Sequence, residues 1–164
     1  MLHQVTVSEG KKKFRTDLLA IRTLEGLIIL ATGGEKPHVG AVAIAIPRPS
    51  LKDSGQTSVT LSSFTLVGHK DHVIANEIAE TIAKEFNEVT VAIAGMHIEN
   101  AEEKDIRQLV ANSKKALENL IHELHKTKCV FSKKRIKTTR ACRRRSARER
   151  SSVHHVRDAR THAS

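Results

Sequence analysis

Three short segments pair glycine with histidine: Gly33-Gly34-Glu35-Lys36-Pro37-His38, Gly68-His69-Lys70-Asp71 and Gly95-Met96-His97-Ile98-Glu99-Asn100. Imidazole exchanges a proton near neutral pH and ligates transition metals, while glycine lets a chain turn tightly or come close to a ligand. A single loop histidine is ordinarily solvated or locally hydrogen-bonded, and a glycine beside a helix ordinarily serves packing. Three such pairings at similar places favour one shared site, with His38, His69 and His97 as the candidates for catalysis or proton handling. The second and third segments each stand between a strand and a helix start, where unpaired N–H groups and the helix dipole favour an anion such as phosphate. Three neutral imidazoles could equally hold zinc or another transition metal with one position open. The intervals of 31 and 28 residues do not demand a metal, so that question stays open.

Other candidates carry less. His72 falls in the first turn of a predicted helix, on its solvent side, and His122 and His125 lie near a helix C-terminus, where they suit the dipole. No Ser-His-acid set or activated cysteine is recognisable. Cys129, Cys142, His154 and His155 have the spacing of no compact zinc finger.

The elements that must position these residues follow from hydrophobic period. Leu2 to Val7, Phe14 to Thr23, Leu27 to Leu30, Val39 to Ile46 and Thr57 to Leu66 read as strands, with the Gly33-Gly34 pair, Pro47 and Pro49 as interruptions. The period then changes: Ile74, Ile78, Ile82 and Phe86, with Ala75, Ala79 and Ala83, describe a helix packed through one stripe. Val89 to Ala94 is a buried strand. Asn100 and Glu103 have the spacing of a capping box, opening a helix whose apolar face includes Ile106, Leu109, Leu117, Leu120 and Leu124. The predicted fold is α+β: about five strands in a largely antiparallel or mixed sheet, followed by α, β, α, with both helices on one face.

Charge divides the chain. Residues 1 to 125 hold 14 Lys/Arg against 16 Asp/Glu, whereas residues 126 to 164 hold 14 against 2, so the net charge of +10 arises wholly in the second part. We therefore expect a folded domain over 1–126 and a basic, disordered tail over 127–164, which lacks apolar periodicity and binds polyanions without selectivity. No Trp or Tyr and four Phe leave little for base stacking. Neither cysteine falls in the domain, and no apolar run approaches the ~20 residues of a membrane span. The expected location is the cytoplasm.

The succession TGGEKPHVGAVAIAIP, a strand ending in LVGHKD, then VTVAIAGMHIENA before a long helix resembles the prenylated flavin chaperone-like family, the LpdD-like accessory proteins of UbiD-type and gallate-type decarboxylases. The resemblance covers residues 1 to about 125. It implies a protein that binds prenylated FMN, or FMN, and assists its delivery to or oxidative maturation in a UbiD-type decarboxylase, as an accessory protein rather than an enzyme. Carried over by motif, Gly33, Gly34, His38, Gly68, His69, Lys70, Asp71, His97, Glu99 and Asn100 would line the site, with Met96 as an aliphatic platform for the ring. The expected partners are the decarboxylase and further copies of the chain. The competing class is a small metal-dependent hydrolase or lyase using His38, His69 and His97.

Overall fold

The computed structural model describes residues 3–53, 55–68 and 70–127. The predicted basic tail beyond them, with its cysteines, lies outside the described residues, as does His69. By internal contacts the chain divides into Met1–Leu124 and His125–Ser164. The elements below belong to the first unit, apart from the final residues of its last helix.

Among the described residues there are six strands and two α-helices: β1 (His3–Glu9), β2 (Thr16–Arg22), β3 (Gly26–Gly34), β4 (Ala41–Pro49), β5 (Thr57–Thr65), α1 (His72–Phe86) and β6 (Val89–His97), then α2 over residues 103–127. They form one mixed sheet in the order β1-β2-β3-β6-β4-β5. The α+β class is as expected, but the sheet has six strands rather than about five. The strand between the helices does not stand apart. β6 inserts between β3 and β4, parallel to the first and antiparallel to the second.

Register explains which residues form the core. Leu18 pairs with Ala31, Ala31 with Ala94, and Ala94 with Ala41; one row further, Ala20, Ile29, Ala92 and Ala43 align in the same way. All eight are fully buried. Side chains of a strand alternate between faces, so these rows share one face, and their many alanines let helices approach closely. Ala75, Ile78, Ala79, Ile82, Ala83 and Phe86 of α1 pack here, joined by Leu109, Ala116, Leu117, Leu120 and Leu124 of α2. The i, i+4 stripe of α1 is therefore as predicted, except that Ile74 is only partly buried. Ile106, placed on the apolar face of α2 by its spacing, is instead exposed.

Three boundaries differ from the expectation. The Gly33-Gly34 pair does not interrupt the strand but forms the last two residues of β3, in register with Met96 and His97. Pro47 lies within β4 and Pro49 is its last residue, so the strand runs past Ile46. They fall beyond Ala45, the last β4 residue paired with β6, where one side of the strand has no ladder bond for a missing N–H to break. At α2, Asn100 is not the cap. It adopts a left-handed φ of 48°, and the carboxylate of Asp105 accepts from Glu102 N at 3.3 Å, moving the capping arrangement two residues on.

Ile29→Ala removes a fully buried side chain from the central strand. It should cost about 2 to 5 kcal/mol, whereas Leu24→Ala, at a position 70% exposed, should leave the urea midpoint nearly unchanged.

Candidate functional site

The parallel pair β3/β6 ends with Gly34 beside His97, and from this edge the chain turns through residues 35–40 into β4. Two of the three glycine–histidine segments therefore converge through the sheet itself. Glycine is required here by space. A Cβ on Gly95 would overlap the carbonyl oxygen of His38, and one on Gly34, which has φ +76°, would overlap that of His97. The turn is fastened by Glu35 N and Lys36 N, which donate to His97 O at 2.7 and 3.3 Å. Glu99 N donates to the Glu35 carboxylate at 2.9 Å, and Lys36 forms an ion pair with Glu99. The adjacent ammonium holds the Glu99 carboxyl below the usual carboxylate range.

Within this frame the rings of His38 and His97 lie edge to face, with centroids 6.4 Å apart. His38 Nδ1 is 3.0 Å from Lys36 O, and its Nε2 is 3.3 Å from Asp71 Oδ2. Both ring nitrogens thus face oxygen acceptors. The arrangement is complete when Nδ1 carries a proton and a second one is held between Nε2 and Oδ2.

Asp71 is the residue whose role the sequence did not reveal. It occupies the N-cap position of α1, where an aspartate ordinarily accepts from the first-turn N–H groups, yet its side chain makes no such bond. Its Oδ1 accepts instead from Met96 N in β6, at 3.0 Å, and the carboxylate is buried. One side chain thereby links the start of α1, the end of β6 and the His38 ring. Gly40 makes room for it, since a Cβ there would overlap Oδ2. Aspartate just before a helix is visible in sequence, but the partner that draws it away from capping is 25 residues distant.

The other predicted residues divide. Lys70 and Gly68 lie just before α1, with Lys70 exposed and Gly68 at φ +84° with open space around it. His97 and Glu99 are at the site, their closest approach 4.0 Å. Gly33 sits one step back along β3, its Cβ position blocked by Arg15 O. Asn100 forms the turn into α2. Met96 does not offer its side chain to the turns: it belongs to the core, and Ser113 donates to its sulfur at 3.4 Å. His72 is half-buried rather than on the solvent side, with Nδ1 shielded from water. Glu35 and Lys36, present in the first segment but not chosen as site residues, fasten the turn. Among the described residues no group of three or more His, Cys, Asp or Glu side chains is arranged to hold a metal.

An α+β domain with two histidines, His38 and His97, at the carboxyl ends of parallel strands is the class these features define. Residues 10–125 match the family of the prenylated flavin chaperone LpdD-like domain, and the chain belongs to that family. No curated protein gives a match. A chain in the crystal structure of a chaperone complex for yeast 20S proteasome assembly overlays with a TM-score of 0.50 at 14% identity, over 76% of this chain and 96% of that chain. At that identity the likeness concerns the fold alone.

Asp71→Ala strands the buried Met96 N–H and should cost about 1 to 3 kcal/mol. Asp71→Asn keeps an acceptor for Met96 and presents an amide to His38, so most of that stability should return. Imidazole NMR of Asp71→Asn should then show His38 with an unprotonated Nε2. An unchanged ring spectrum would show that Asp71 does not govern the His38 proton.

The Lys36–Glu99 pair makes a pH prediction. Because the Glu99 carboxyl is depressed in the folded state, the pair contributes fully above the usual carboxylate range and is lost as pH falls through the lowered value. The protection of amides at residues 35–40, taken relative to the intrinsic exchange rate at each pH, should fall in acid, and Glu99→Gln should abolish that fall.

Proposed function

We propose that this domain binds FMN, prenylated or plain, at the His38–Asp71–His97 edge and assists its delivery to, or oxidative maturation in, a UbiD-type decarboxylase. Membership of the prenylated flavin chaperone LpdD-like family points to the cofactor. The observation that carries the placement is the pairing of two imidazoles, 6.4 Å apart, with a buried carboxylate beyond the ends of β3 and β6. Sheets of this kind commonly take ligands beyond the carboxyl ends of their strands.

The site suits a flavin in two respects. His97 offers a ring N–H group to the carbonyl and nitrogen edge of an isoalloxazine, and His38, held by Lys36 O and Asp71, lies edge to face beside it. The first turn of α1, left uncapped by Asp71 and carrying no acidic side chain, offers N–H groups for the phosphate, with exposed Lys70 beside it. Met96 is withdrawn from the ring-stacking role by its burial. When bound, the prenylated flavin supplies its own redox and decarboxylation chemistry. The protein holds and orients it, with His38 fixed between Lys36 O and Asp71 beside the ring. His69, part of the same motif, and the basic segment 127–164 are assigned by sequence alone, as a further site residue and a polyanion-binding extension.

Anaerobic titration of the full chain with reduced prenylated FMN, followed by absorbance before and after admitting oxygen, tests the reading. Saturable binding is expected, weakened roughly tenfold or more in His38→Ala and His97→Ala, the loss that follows removal of a charge-assisted hydrogen bond. Absence of binding, or affinity indifferent to both substitutions, would remove the proposed site. Stoichiometric zinc, iron or manganese in protein purified without chelators would favour the metal-dependent enzyme instead.

A further inference from the structure

Both helices pack on the alanine-rich face of the sheet, and the opposite face is built quite differently. Register aligns Leu19, Leu30, Ile93, Val42 and Phe64 in one row across β2, β3, β6, β4 and β5. The neighbouring row is Ile21, Ile28, Val91, Ile44 and Ser62. None of these residues belongs to the core or packs against it. Ile28 is 39% exposed, Phe64 71%, and the remaining aliphatic ones are half-buried, shielded by their neighbours in the sheet. No described element covers them. An aliphatic face of this extent is abnormal for a surface in water, where apolar patches above a few hundred Å² mark interaction sites.

We infer that this face is the contact between two copies of the chain, stacked sheet on sheet. Size supports that occupant. The five strands of these rows, about 4.8 Å apart and about 20 Å tall, present on the order of 500 Å² in projection. Corrugation by side chains brings the accessible area toward the ~800 Å² per partner of a standard interface. Charge supports it too. In a two-fold pairing each row meets a copy of the same surface, so any charge in it would oppose or neighbour its own kind. The two rows contain no ionisable side chain at all. The chain's own C-terminal segment is poorly matched as a cover: with 14 Lys/Arg in residues 126–164, it would place charges against aliphatic surface and leave them without partners. Two such sheets pack at about 10 Å, with side chains of one face entering the gaps of the other.

Sedimentation velocity of the full chain without ligand, across the micromolar range, tests this independently of any flavin. A dimer is expected. Ile28→Glu, at an exposed position of the central strand, should weaken it by about 100-fold or more, because two carboxylates become buried in an apolar contact. Phe64→Glu, on the outermost strand, places the charge where the monomer fold has nothing to lose, and it decides the matter if Ile28→Glu loses its helical circular dichroism. A monomeric wild-type chain overturns the inference, as does a dimer left unchanged by the substitutions in folded protein. A wild-type dimer that separates into folded monomers in either variant supports it.

Discussion

The carboxylate of Asp71 is the interaction through which helix, sheet and site constrain one another. Its backbone opens α1, its Oδ1 receives the amide of Met96 near the end of β6, and its Oδ2 meets the ring of His38. A buried charge is tolerated only with partners, and here Met96 and His38 come from two different elements. Moving α1 along its axis would break the Met96 bond. Moving the 35–40 turn would break the contact with His38. The site is thus rigid because three parts of the fold satisfy one side chain.

Parallel pairing sets where this can happen. β3 and β6 run together from Gly26 and Val89 to Gly34 and His97, and both end at the same edge. The chain leaving β3 must cross that edge to enter β4 on the far side of β6, which lays residues 35–40 over the end of β6. Such a crossing is possible because Gly34, Gly40 and Gly95 have no Cβ where the backbones and the Asp71 carboxylate need the space. The glycines in the motif segments therefore serve chain crossing first. Any contact with a ligand is a use of the same bare backbone.

How far the sequence could be read follows from the range of each interaction. The α1 stripe was legible because helix period is local, and Ile78, Ile82 and Phe86 are buried as their spacing requires. Alternation identified strands but not their ends. Gly33-Gly34 looks like an interruption until β6, more than 60 residues later, supplies a partner. The same holds for Met96, whose flanking glycine and histidine suggested a surface platform. Its position in the alternation, matching Ala94 and Ala92, assigns it to the core face instead. The capping box at Asn100 matched the pattern in residue type but not in backbone, since a left-handed Asn100 cannot begin the helix and Asp105 performs the reach-back. His38 and His97 were identified by motif as two of three candidates, with His69 as the third. Their proximity depended on strand order, which no local signal carries.

Asp71 breaks a local rule, and the consequence bears on ligand chemistry. An aspartate that capped α1 would occupy a first-turn N–H group; the Asp71 side chain is diverted to Met96 and His38 instead, and of the first-turn donors Val73 N bonds to Lys70 O. The cost is a carboxylate close to the place where a phosphate would sit. The facing His38 ring, with Nε2 3.3 Å from Oδ2, is the group placed to offset that charge. The histidine–aspartate contact and the uncapped helix are on this argument one device. Local rules that fail at a single residue commonly mark a functional position, and here the failure, its cause and its electrostatic compensation all lie within one hydrogen-bonded cluster.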